Sequence, residues 1–165
     1  SYLRAEDLSS DLLLKEYSLD EIVRQAVRKY SGMFILKKIR LEYEPCKETV
    51  LTDEKWLLFV LEQLLSNALK YTDKGSIRIR MEPGNHGVLL IEDTGIGIQA
   101  EDLPRVFEKG FTGYNGRQDK KSTGIGLYLC RMICGKLNHT IEITSEPGKG
   151  TAVRLDLSRK EMRHE

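Results

Sequence analysis

Asp93 follows the strand-like run Val88-Leu89-Leu90-Ile91-Glu92, apolar but for its last residue, and is followed at once by Thr94-Gly95-Ile96-Gly97. A carboxylate there can accept a hydrogen bond from an exocyclic amine, while the glycines let a flat ring come close to the backbone. It can equally be an aspartate that shapes a turn. A second glycine signal, Thr123-Gly124-Ile125-Gly126, precedes a helical pattern. Exposed N–H groups and the helix dipole at such a start favour an anion such as phosphate. A third is Gly148-Lys149-Gly150-Thr151. Any one of the three could simply turn the chain. Gln63, Asn67 and Lys70 follow i, i+4, i+7 and share one helix face. The amide oxygen of Asn67 suits magnesium, a hard cation, and Lys70 lies one turn on, in reach of a phosphate. The competing reading of this stripe is a solvated helix face.

The familiar phosphate loops do not account for these glycines. No G-x-x-x-x-G-K-[ST] run occurs, and neither H-R-D nor D-F-G appears. The dinucleotide fingerprint would need a small residue where Leu129 stands, and a strand where the chain reads Asp119-Lys120-Lys121-Ser122. A nucleotide site here must be of another kind.

The elements that would carry these residues are legible from periodicity. A short strand is expected near residues 15–17. Ser18-Leu19-Asp20-Glu21 forms a capping box that opens a first helix, expected to end before Lys37-Lys38. Residues 39–43 alternate as a strand, which Glu44-Pro45 breaks. Asp53 caps a second helix over residues 54–71, with Leu57, Leu61, Leu64 and Ala68 as its core stripe. Residues 76–81 and 88–92 read as a hairpin. A third helix is expected over residues 125–137, then strands over 139–144 and 151–157. Mixed helices and antiparallel hairpins make an α/β two-layer sandwich.

Bulk properties exclude several classes. The chain has 165 residues, 40% hydrophobic and 31% charged, with a formal net charge of +1. That size suits one domain with a real core. The charge gives no nucleic-acid footprint. No apolar run approaches the roughly 18–20 residues of a membrane span, and no signal peptide is read. Three cysteines, Cys46, Cys130 and Cys134, argue against a disulfide framework. Cys130 and Cys134 could be half a metal site, but no ligand cluster completes it, so two small core residues are the expectation.

Taken together, these segments resemble the catalytic domain of sensor histidine kinases, in the Bergerat-type fold shared with gyrase, the mismatch-repair ATPases and the heat-shock chaperone ATPase. Residues 62–72, Glu-Gln-Leu-Leu-Ser-Asn-Ala-Leu-Lys-Tyr-Thr, resemble the asparagine box. Residues 93–98 resemble the first glycine box, and 106–111 the phenylalanine box. Residues 122–127 resemble the second glycine box and 148–151 the last. The likeness spans about residues 15 to 157.

The resemblance implies a mixed five-stranded sheet packed on three main helices, with residues 109–123 as a mobile lid over the triphosphate. It implies ATP and magnesium as ligands. Asp93 would hold the adenine amino group, Asn67 the magnesium, with Gln63 a second metal contact, and Lys70 a phosphate. Asn67 and Lys70 would be the catalytic pair. Tyr71 would pack near the base and Thr151 under it. Gly95, Gly97, Gly124 and Gly126 would line the pocket, with Ile98, Phe107, Lys109, Thr123 and Leu127 beside them. Arg117, Lys120 and Lys121 would be the cations nearest the triphosphate. Residues 1–14 would be the end of a preceding helix and a linker, 15–158 the ATP-binding catalytic domain, and 159–165 a polar tail.

Many members carry asparagine where this chain has Gln63. In the self-contained ATPases of the fold a glutamate there acts as base on water. An amide has no useful basicity, and Glu62 points about 140° away from Asn67 at 100° per residue. This favours a kinase over such an ATPase. An anti-sigma-type serine kinase is the other alternative. None of His86, His139 and His164 has the context of a phosphoacceptor, so the acceptor is expected on a separate histidine-bearing dimerisation domain. The family further implies a response regulator partner and a homodimeric, inner-membrane sensor with this domain in the cytoplasm, the fragment itself being monomeric. Trp56 and the run Gly-Phe-Thr-Gly-Tyr-Asn-Gly-Arg over residues 110–117 resemble the intramembrane-sensing subgroup that partners export transporters.

Overall fold

The computed structural model describes residues 12–111 and 126–158. Strand β1 (Lys15–Ser18) leads into helix α1 (Leu19–Lys37), then β2 (Arg40–Tyr43) and β3 (Thr49–Thr52). Helix α2 (Glu54–Lys70) follows, then β4 (Ser76–Met81) and β5 (Val88–Asp93). After a 3-10 turn at Leu103–Arg105 come helix α3 (Gly126–Lys136), β6 (Thr140–Glu146) and β7 (Gly150–Asp156). Five strands form one mixed sheet in the order β2-β4-β5-β7-β6, parallel only between β2 and β4. The expected five-stranded sheet on three helices is therefore present.

The layers follow from the alternation of each strand. Ile77, Ile79, Leu89, Ile91, Val153 and Leu155 are buried toward the helices. The opposite face carries Arg80 against Glu92 at 3.0 Å and Arg154 against Glu82 at 2.8 Å. Apart from the buried Val88 and Leu90, it can stay wet because only one face must exclude water. Helix α2 is the central beam: it packs on α1, on α3 and on β5. All four residues of its predicted stripe, Leu57, Leu61, Leu64 and Ala68, are buried. Cys130 and Cys134 lie in the same core, as expected of small apolar residues.

Asp53 fixes where α2 starts. Its Oδ1 accepts the Trp56 N–H at 3.0 Å, and its Oδ2 accepts the Leu13 N–H at 2.7 Å. Asp53→Ala would remove the cap and strip Leu13 of its acceptor. We expect a loss of about 2 kcal/mol in urea unfolding, at the upper end for an N-cap.

The first helix runs through Lys37, past its expected end, and is closed by Lys38 in the left-handed region at φ 58°. Strand β3 was not expected from sequence. It pairs with β1 as a separate two-stranded antiparallel sheet. His139 lies just before β6 rather than starting it, buried with Nε2 2.9 Å from Thr52 Oγ1.

Candidate nucleotide site

The site is assembled at the C-terminal end of β5, where the neighbouring β7 begins and α2 ends. Asp93 and Thr151 are paired across β5 and β7. Asp93 Oδ1 accepts the Gly95 N–H at 2.9 Å and the Thr151 N–H at 3.2 Å. Both bonds fall on one oxygen, and among the described residues no hydrogen bond falls on Oδ2. Burial pushes the Asp93 carboxyl above its ordinary value, opposed by the two amide donors. A half-buried carboxylate with one oxygen locked and the other open can receive one donor in a fixed direction.

The turn after Asp93 is held on several sides. Ile96 N–H donates to the Tyr71 carbonyl at 3.0 Å, which ties it to the end of α2. Gly148 N–H donates to the Ile96 carbonyl at 2.7 Å, and Ile98 N–H to Ser145 Oγ at 2.8 Å. Gly95 is buried against Tyr71 and Thr72, and Gly97 against Glu146 and Pro147. Asp93, Gly95, Gly97, Ile98, Tyr71 and Thr151 thus belong to one locality.

The other wall is the face of α2 turned toward α3. Gln63 and Asn67 are half-buried, flanked by the buried Leu64 and Ala68. Gly126 starts α3, and a Cβ there would sit 2.8 Å from Gln63 Oε1. A side chain at position 126 would therefore push the Gln63 amide out of its present place. Lys70 ends α2 with its ammonium 5.8 Å from the centroid of the Tyr71 ring. Glu62 turns the other way, and its Oε1 pairs with Lys29 Nζ of α1 at 3.2 Å.

Phe107 packs against the core with the Arg131 guanidinium 4.8 Å from its ring centroid. Lys109 is exposed, 5.8 Å from the centre of the Tyr128 ring, and Leu127 is half-buried on the core. Arg117, Thr123 and Gly124, and the lid expected over residues 109–123 from residue 112 onward, lie outside the described residues, as do Lys120 and Lys121.

The donor set bears on magnesium. Gln63 and Asn67 offer neutral amide oxygens, and among the described residues no group of three or more His, Cys, Asp or Glu could hold a metal. Such a set fits an ion that keeps most of its waters and is shared with phosphates, as magnesium is. It does not fit a dedicated protein cage. Sequence reading missed Ser145, whose hydroxyl meets the glycine turn and Thr151 together. A serine in an alternating strand carries no signal of that role.

Residues 52–161 match the family model described as histidine kinase-, DNA gyrase B-, and HSP90-like ATPase. The chain is 37% identical over 161 residues to sensor histidine kinase YxdK of Bacillus subtilis, covering 95% of this chain and 50% of the relative. It is 36% identical over 154 residues to sensor protein kinase GraS of Staphylococcus aureus, covering 92% of this chain and 44% of that one. The chain thus spans about half the length of the curated relatives it matches. Among solved structures, the catalytic domain of histidine kinase ThkA superposes with a TM-score of 0.74 at 21% identity, covering 92% of this chain and 99% of that chain.

Proposed function

From the premise that this chain belongs to the histidine kinase-, DNA gyrase B-, and HSP90-like ATPase family, we propose that it is the ATP-binding catalytic domain of a two-component sensor histidine kinase. It transfers the γ-phosphoryl group of ATP to a histidine on a separate dimerisation domain. The sensor kinase names of relatives such as YxdK and GraS support this reading. The observation that carries it over a self-contained ATPase is the orientation of Glu62. That carboxylate is paired with Lys29 on the α1 side, and the side chain beside Gly126, on the face of α2 turned to α3, is the amide of Gln63. A site without a base for water spares ATP until an acceptor arrives.

Asp93 receives the adenine amino group through Oδ2. Thr151 and the glycine turn lie against the base, with Tyr71 beside it. Asn67, with Gln63 close by, holds magnesium, which when bound neutralises phosphate charge. Lys70 reaches the phosphates from the last turn of α2, and the amides at the start of α3 face the same anion. These are positioning and charge-neutralising groups, which phosphoryl transfer chiefly needs. A new N–P bond to the acceptor imidazole forms as the bond from γ-phosphorus to the β–γ bridging oxygen breaks, and ADP leaves. The whole protein is a membrane sensor with this domain on the cytoplasmic side, paired with a response regulator. Among the described residues no helix is long and apolar enough to cross a membrane.

The test is incubation with γ-labelled ATP and magnesium, alone and with the matching histidine-bearing helices. The chain alone should stay unlabelled and turn ATP over slowly, while the added helices acquire acid-labile label. Label on a serine of an anti-sigma antagonist instead, or vigorous ATP turnover that Gln63→Ala leaves untouched, would overturn the assignment.

A further inference from the structure

Asp93, Thr151 and Ser145 stand in one row across β5, β7 and β6, because Thr151 is register partner to both of the others. Ser145 Oγ has three neighbours in hydrogen-bond reach. The Ile98 N–H donates to it at 2.8 Å, the Gly150 carbonyl lies at 2.9 Å, and Thr151 Oγ1 lies at 2.8 Å. A hydroxyl has one proton and two lone pairs. The Gly150 carbonyl can only accept, and the Ile98 amide can only donate. All three contacts are satisfied in one arrangement: Ser145 donates to Gly150, and accepts from Ile98 and from the Thr151 hydroxyl.

We propose that Ser145 is a positioning residue that holds Thr151 Oγ1 as a hydrogen-bond acceptor beside the Asp93 carboxylate, and so sharpens selection of a 6-amino over a 6-oxo purine. The Thr151 proton is occupied by Ser145, so only lone pairs of Oγ1 remain for a ligand. Two acceptors then face the base edge. A 6-amino group satisfies them. A 6-oxo group meets them oxygen to oxygen, with no hydroxyl free to turn and donate. The same Ser145 bond anchors Ile98, so the glycine turn and the Thr151 rotamer are set by one atom. The inference rests on the reading of Asp93 as the adenine acceptor.

The experiment is calorimetric binding of ATP and inosine triphosphate to the chain, with magnesium, for the parent, Ser145→Ala and Ser145→Thr. The parent should prefer ATP. In Ser145→Ala the Thr151 hydroxyl is released to donate to the 6-oxo oxygen, and the ATP-to-ITP affinity ratio should fall about tenfold. Ser145→Thr restores a hydroxyl and should recover the parent ratio. A serine that only braced the strand would weaken both nucleotides in proportion, and an unchanged ratio in Ser145→Ala would overturn the proposal. Should Ser145→Ala fail to fold, Ser145→Cys keeps the volume with a poor hydrogen-bonding atom, and its ratio should fall likewise; a parent-like ratio there also overturns it. A parent that shows no preference for ATP rejects the Asp93 reading itself, a different failure from a parent preference that Ser145→Ala leaves intact.

Discussion

Asp93→Asn should weaken ATP binding on the order of a hundredfold or more while leaving the domain folded. The reason is directional. Two backbone donors, from Gly95 and Thr151, converge on Oδ1. In the asparagine variant the carbonyl oxygen must take that place, because the amide nitrogen would meet two N–H groups. The NH2 then falls where Oδ2 was and confronts the adenine amino group, donor against donor. Stability should not suffer. The carboxyl is raised above its ordinary value by burial. Such a group favours folding only below its unfolded-state value, and that advantage disappears as pH rises through the folded-state value. At neutral pH the charged Asp93 is a cost, so the variant should be as stable as the parent or slightly more. ATP affinity of the parent should also decline as pH is lowered through the raised Asp93 value, with no such titration in the variant. Calorimetry across pH, with thermal melts alongside, reads both quantities. Unchanged ATP affinity in Asp93→Asn would remove Asp93 from this role.

Gly150→Ala should cost about 3–5 kcal/mol of stability, a large fraction of what a domain of this size has. Gly150 has φ +130°, a conformation that side chains rarely adopt, and a Cβ there would overlap the carbonyl oxygen of Asp93. Strain and overlap therefore add, and the atom that must yield is backbone in the middle strand of the sheet. Gly148→Ala is the control. It has φ +81° but nothing within 4 Å of its Cβ position, so only backbone strain remains, about 1–2 kcal/mol. Urea unfolding of the two variants should separate these terms. Equal midpoints would mean that the approach of Gly150 to Asp93 is not tight.

Where a long periodic pattern coincided with a cap, the sequence was easy to read. Helix α2 has Asp53 before it and four stripe residues at helical spacing, and all of them are buried. The β4–β5 hairpin is bounded by glycines; β4 alternates apolar and polar residues, and β5 opens with four consecutive apolar residues. Strand β3 offered neither signal. It has four residues between a proline-bearing loop and a helix cap, too few for alternation to stand out. The extra length of α1 depends on Lys38 adopting a left-handed cap, where glycine would have announced the stop. For the candidate site, Asp93, Asn67 and Lys70 could be singled out from sequence because their types and spacing suit a nucleotide. Ser145 was not, because its partners Ile98 and Thr151 lie 47 and 6 residues away, and only the folded sheet brings them together. The ion pair that turns Glu62 from the site was half legible. Helical geometry gave its direction, but the partner Lys29 lies 33 residues upstream.

The bond between Asp93 and the Thr151 amide spans 58 residues of chain, and this has a consequence for biosynthesis. A chain emerging from the ribosome exposes α1, α2 and the β4–β5 hairpin well before β7. Until then the Asp93 carboxylate lacks one of its two amide donors and the strand beside it. Closing so wide a loop also carries an entropy cost, which the contacts of the docked hairpin must offset. If Asp93 is the adenine acceptor, nucleotide competence arrives late in translation, when the last hairpin docks, and a product that stops short of Thr151 should fail to bind ATP however well its first half folds.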